Sequence, residues 1–188
     1  KLLHVDLDLA SWKQYIEENK EAKRAVLRLD AATSEVSLAY MTGDFEMAIQ
    51  KAKEILRQDG LPPQYRNILQ SYLIRSVVLS QPDLSREELE EMNGELTITD
   101  PTLAGKTEKM SDALYDLTIA HESNDYFEGL TNEFKYPQLE IIYYKALNAA
   151  IKGETVRANE LLNQLAGEDE RLYVVRMGKD VLNTDNKK

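Results

Sequence analysis

Three short stretches of this chain share one turn chemistry, and that repetition restricts the fold more than any other feature. Ala39-Tyr40-Met41-Thr42-Gly43-Asp44-Phe45 is followed by Ala48. Ala120-His121-Glu122-Ser123-Asn124-Asp125-Tyr126 is followed by Gly129, and Ala149-Ala150-Ile151-Lys152-Gly153-Glu154-Thr155 by Ala158. Each places Ala before a Gly or Asn, an acid directly after it, and a small residue further on. Gly or Asn reaches positive φ cheaply, so the chain can reverse there. The acid caps the next helix and complements its dipole. The small residues mark where two antiparallel helices approach most closely. The spacing predicts helical hairpins, with Gly43, Asp44, Ala48, Asn124, Asp125, Gly129, Gly153 and Ala158 as their structural positions. The turn residues follow one another at intervals of 81 and 29 residues, so the array is irregular.

Between these turns the apolar residues recur at helical spacing. Ser11 and Gln14 have capping-box spacing, and Trp12, Ile16, Val26 and Leu29 predict a helix over 11–29. A second stretch over 31–41 stops at Gly43. Asp44 caps a helix with Ala48, Ile49, Ala52, Ile55 and Leu56 on one face, ended by Gly60. Pro62 and Pro63 open another, which Pro82 breaks. Ser85 and Glu88 form a capping box for a short acidic helix ending near Gly94. Further helices are expected over 101–122, 125–134, 137–152, 154–165 and 168–182. Residues 3–9 and 95–99 alternate apolar with polar. They read either as two extended strands, marginal on their own, or as a frayed terminus and a loop. The fold class expected is all-α, antiparallel helical hairpins forming a short irregular α-solenoid. Residues 11–182 make a single domain, 1–10 an extended or frayed segment, and 183–188 a disordered polar tail.

Composition narrows the function. The 188 residues include 33 acids and 23 bases, a net charge of −10, which opposes binding to nucleic acid or to an anionic membrane surface. With no cysteine, disulfides, thiolate catalysis and cysteine-ligated metals are excluded. His121-Glu122-Ser123-Asn124-Asp125 lacks the second histidine of a zinc protease helix, and Gly105-Lys106-Thr107 lacks the first glycine of a P-loop, because Asp100 stands there. Acid runs such as Glu87, Glu88, Glu90 and Glu91 read as solvated faces. No catalytic residue, metal ligand or cofactor is expected. The ten tyrosines suit a recognition surface, since each offers a large contact area with a polar tip. The chain opens without Met, so a domain cut from a longer protein or a processed product is expected, with any signal peptide, anchor or membrane span upstream of Lys1.

The repeated turn resembles that of the tetratricopeptide repeat, with Gly43-Asp44-Phe45-Glu46-Met47-Ala48-Ile49 as the best match. The chain departs from that family in lacking an aromatic–Leu-Gly signature in the first helices and Pro at the regular end position. An irregular helical bundle with similar turns is the alternative. The resemblance implies a concave groove lined by the first helix of each pair. Alignment of the turns puts Thr33, Ser37, Tyr40, Thr118, His121, Glu122 and Tyr143 there. Tyr40 and Tyr143 read equally as filling the core between repeats.

The order of features also resembles the extracytoplasmic domain of the EssB/YukC family, membrane components of Gram-positive type VII secretion systems. The residues concerned are Gly43-Asp44-Phe45, Leu61-Pro62, Ser71-Tyr72, Tyr143-Tyr144, Gly153, the stretch Leu161 to Leu165, and Tyr173 in the last helix. Residues 102–136 stand as an insertion, and the family's pseudokinase-like domain is absent from this sequence. That resemblance implies a non-enzymatic assembly scaffold on the extracytoplasmic side of a bacterial membrane. Its partners would be other secretion proteins, with homodimerisation, and its only membrane contact would be an upstream anchor. The alternatives are a soluble cytoplasmic adaptor binding extended peptides, and an enzyme acting through a buried carboxylate pair.

Overall fold

The computed structural model describes residues 8–185, and the side chains of residues 8–182. The protein is all-α, and among the described residues there are nine α-helices and no strand. They are α1 Leu9–Asn19, α2 Ala25–Thr42, α3 Phe45–Leu56, α4 Pro63–Ser80, α5 Arg86–Gly94, α6 Pro101–Tyr115, α7 Lys135–Ile151, α8 Thr155–Asn163 and α9 Tyr173–Asp185. A π turn over Asp116–Ala120 and a 3-10 turn over Asp125–Phe127 separate α6 from α7. The described chain divides into two compact units. Asp8–Tyr40 and Asp44–Asp112 form the N-terminal unit; Met41–Gly43 and the residues from Ala113 onward form the C-terminal unit.

In the N-terminal unit, α4 packs against both α3 and α5. Leu9, Trp12, Ile16, Val36, Ala48, Ala52, Leu69, Ile74 and Leu89 are buried in its core. The first helix begins earlier than its sequence suggests. Asp8, not Ser11, is the cap: its carboxylate accepts the N–H groups of Ala10 (3.0 Å) and Ser11 (3.2 Å), while Ser11 Oγ donates to it (2.6 Å). Gln14 turns away and donates to Glu18 at 2.7 Å, so the capping box expected at Ser11 does not form. The helix expected over 11–29 breaks after Asn19. No apolar residue after Ile16 supplies a core anchor in the next turns, where Asn19, Lys20 and Lys23 stand instead. A second helix then runs unbroken through Ala25–Thr42.

The local signals at the following turns are realised. Gly43 has φ +81°, and Asp44 N–H donates to Ala39 O at 2.8 Å, the long closing bond of a glycine-ended helix. The Asp44 carboxylate accepts from Met47 N–H at 3.2 Å to start α3. Pro62 and Pro63 open α4, and Ser85 with Glu88 forms the reciprocal capping box of α5.

Residues 96–100 are irregular, as the loop reading expected, and lie along α4. Asn67 accepts the N–H of Thr99 (3.2 Å) and donates to its hydroxyl (3.3 Å). Gln70 does the same for Thr97, at 3.2 and 2.9 Å. Positions three apart on a helix rise about 4.5 Å, whereas positions two apart in an extended chain span about 6.6 Å. The extra methylene of Gln70 absorbs the mismatch. Replacing Asn67 and Gln70 together by Ala is expected to cost about 1–3 kcal/mol per site and to abolish hydrogen-exchange protection at the Thr97 and Thr99 amides. Exchange measured by NMR, with urea unfolding for stability, checks both. Unchanged protection would show that the side-chain amides do not hold this segment. Of the alternating segment 3–9, residues 3–7 lie outside the described residues, Asp8 is a cap, and Leu9 opens α1.

In the C-terminal unit, α7 packs against α8, α9 and both short turns. Leu117, Phe127, Tyr144, Leu162, Leu165, Leu172, Val174 and Val175 form the core, with the Phe127 and Tyr144 rings stacked at 5.0 Å. The α7–α8 hairpin repeats the first turn closely: Gly153 has φ +77°, Glu154 N–H donates to Ala149 O at 2.8 Å, and Ala149 and Ala158 are buried. Glu154 makes no side-chain cap, and Arg157 takes its carboxylate instead (2.9 Å).

The second expected hairpin is different. Thr118 Oγ1 donates to Leu114 O (2.6 Å), competing with the helical ladder, and α6 passes into the π turn. Glu122 N–H then reaches Asp116 O at 2.8 Å, one residue further than in the two glycine turns. The left-handed residue is His121 (φ 55°), whereas Asn124 is extended (φ −141°). Ala120 and Gly129 are exposed, so no close helix pair forms there, and the helix expected over 125–134 shrinks to Asp125–Phe127. The last helix reaches Asp185, and the remainder of the tail drawn over 183–188 lies outside the described residues.

Candidate partner-binding surface

The residues assigned by turn alignment to a groove fall in both units. Thr33, Ser37 and Tyr40 share one face of α2, and all three are buried, Tyr40 to 1% exposure. Ser37 Oγ donates to Tyr72 Oη at 2.7 Å. The Tyr40 ring meets Phe45 at 5.9 Å and Tyr72 at 5.2 Å, and the Arg75 guanidinium lies 4.7 and 4.6 Å from the Tyr40 and Tyr72 ring centres. A cation stacked on two rings needs an ordered, half-buried position, so this face of α2 is core. In the other unit Tyr143 is also buried, and burial pushes its phenol above the ordinary range. The core reading of Tyr40 and Tyr143 therefore describes them. Thr118 is half-buried, its hydroxyl spent on Leu114 O; His121 and Glu122 are exposed.

Asn124 and Asp125 act through a network that the turn pattern did not reveal. Its hub is Asn148 on α7, 1% exposed. The Asn148 side chain accepts from Asn124 N–H (3.0 Å) and donates to Asp125 and Glu128, both at 2.9 Å. Lys152 also binds Asp125, and Arg157 binds Glu128. Hydrogen bonds from Lys152 and Asn148 hold the Asp125 carboxyl below its usual range. For Glu128, burial alone would raise the pKa; the Asn148 and Arg157 hydrogen bonds more than offset it, and the carboxyl is held low.

An open groove of about 580 Å³ lies in the N-terminal unit, where the α1–α2 turn meets the α3–α4 loop. Val26, Leu29, Leu61 and Pro62 are its apolar lining, with Tyr65, Lys20, Arg28 and Asp59 around them. Val26 is 56% exposed on the first turn of α2. Arg28 donates to the carbonyls of Ala22 (2.6 Å) and Lys23 (3.0 Å), which fixes the turn. Behind the groove, Tyr15 donates to the Asp30 carboxylate; that bond and burial push the Tyr15 phenol up to about 12, and burial with the nearby Asp30 charge raises Tyr65 as well. Sequence reading placed Val26 on the apolar face of one unbroken helix over 11–29, whereas it stands exposed on the first turn of a new helix, and so missed the groove. The available signal was an apolar pair, Ala25-Val26, set in a basic run facing a Gly-Leu-Pro-Pro loop.

Among the described residues no helix is long and apolar enough to cross a membrane. Comparison with protein-family models, curated protein sequences and solved structures gave no significant match.

Proposed function

We propose that the chain is a non-enzymatic protein-interaction module of tetratricopeptide-like hairpins. The observation that carries this reading is the open apolar groove around Val26, sited at the N-terminal ends of α2 and α4. A concave, mostly apolar cleft with a few polar groups at its edge is the usual form of a binding site. The two matching glycine turns, at Gly43 and Gly153, support the repeat-like part of the reading.

The finer proposal follows the resemblance in feature order to EssB/YukC: an assembly domain on the extracytoplasmic side of a bacterial membrane. It would be anchored upstream, contact other secretion proteins, bind no nucleic acid or cofactor, and pair with a second copy. Light scattering over a concentration series is expected to give a dimer mass. The reading frame upstream of Lys1 is expected to encode one hydrophobic span. A monomer at every concentration, with an initiator Met close upstream and no span, would overturn the membrane scaffold in favour of a cytoplasmic peptide-binding adaptor.

A further inference from the structure

The turn beside the groove at Val26 is basic in an acidic chain: Lys20 and Arg28 line the groove, and Lys23 and Arg24 flank it on the same turn. Residues 20–28 hold Lys20, Lys23, Arg24 and Arg28 against Glu21 alone, in a protein of net charge −10. All four bases are exposed. Lys20 is paired with Glu17 (2.5 Å), and Arg28 is spent in part on the turn carbonyls. Lys23 and Arg24 have no ion-pair partner among the described residues, and the Arg28 brace holds the turn that presents them. Neither α2 nor α4 has an acid in its first turn, so the positive ends of both helices add to the same sign. Asp59 is the one acid in the lining.

We propose that this groove receives an acidic segment of a partner protein, with apolar side chains seated on Val26 and Leu61 and carboxylates facing Lys23 and Arg24. Charge complementarity argues for an acidic occupant over a basic one, and the apolar floor argues for peptide rather than a bare anion. The inference rests on the reading of the chain as an interaction module.

The test is fluorescence anisotropy on the whole chain with two labelled peptides, Glu-Leu-Glu-Asp-Leu-Leu-Glu and the same peptide with every acid replaced by Lys. The acidic peptide is expected to bind and to weaken as salt is added; the lysine peptide is not. Lys23→Glu with Arg24→Glu is expected to weaken binding about tenfold or more, and Val26→Ser to weaken it without altering the salt dependence. These positions are exposed, and circular dichroism confirms folding; should the reversal unfold the chain, Lys23→Ala with Arg24→Ala replaces it. Equal binding of both peptides, binding of neither, or full affinity in the charge variants would overturn the proposal. A monomer that still binds the acidic peptide would remove the dimeric scaffold and leave this inference standing. A dimer indifferent to the peptide would do the reverse.

Discussion

Gly43→Ala is expected to cost about 2–4 kcal/mol, while Gly153→Ala costs about 1–2 kcal/mol, although the two turns have the same sequence chemistry and nearly the same φ. Both glycines are left-handed, at +81° and +77°, so both substitutions carry the same backbone penalty. Their surroundings differ. A Cβ on Gly153 would meet nothing within 4 Å. A Cβ on Gly43 would stand 2.9 Å from Tyr173 Cδ2 and 3.2 Å from Tyr173 Cβ, with Arg176 Nη2 at 3.0 Å. The second of these contacts is close to the backbone of α9 and cannot swing aside. Arg176 is held as well, because it donates to Thr42 O at 2.8 Å and Arg171 O at 2.7 Å. Urea unfolding of the two variants measures the difference. Equal losses would mean that the approach of Tyr173 to this turn does not constrain the fold.

That comparison also marks how far sequence reading reached. Gly43, Asp44, Gly153, the Pro62-Pro63 helix start and the Ser85–Glu88 box were legible because each closes over five residues or fewer, so the residues that cause the structure are adjacent in the chain. The second hairpin was not legible. Its Asn124-Asp125 matches the pattern, but Thr118 perturbs the end of α6, His121 takes the left-handed position, and Asn148, some two dozen residues on, claims Asn124 and Asp125 for itself. The burial of Thr33, Ser37 and Tyr40 was hidden for the same reason at longer range. Turn alignment fixes which face of α2 carries Tyr40, but only Tyr72 and Arg75 on α4 decide that this face is closed. The Val26 surface depends on a helix break at Lys20–Arg24, and breaks of this kind arise from missing core anchors, a weaker signal than a glycine or a proline.

Asn148→Ala is expected to cost about 2–4 kcal/mol, the largest loss from any polar substitution in the C-terminal unit. The change removes an acceptor for Asn124 N–H and donors to two carboxylates at once, from a side chain only 1% exposed. Asn148→Asp is expected to lose more at neutral pH. It keeps an acceptor for Asn124 but sets a third carboxylate against Asp125 and Glu128, with only Lys152 and Arg157 to compensate. The pH dependence distinguishes the two variants. In the wild-type protein Asp125 and Glu128 are held below their ordinary values, so their stabilisation is present above about pH 4 and is lost as acid titrates them in the folded state. Removing Asn148 returns both carboxyls toward ordinary values, so the gap between wild type and Asn148→Ala should narrow below about pH 4, down to the pH-independent loss of the Asn124 bond. In Asn148→Asp, acid neutralises the added repulsion, and the variant should gain on Asn148→Ala as the pH falls. Urea midpoints measured from neutral pH to the acid limit test this ordering. A constant gap between wild type and Asn148→Ala across that range would show that the buried amide does not tune the two acids, and that its role is confined to holding the Asn124 backbone.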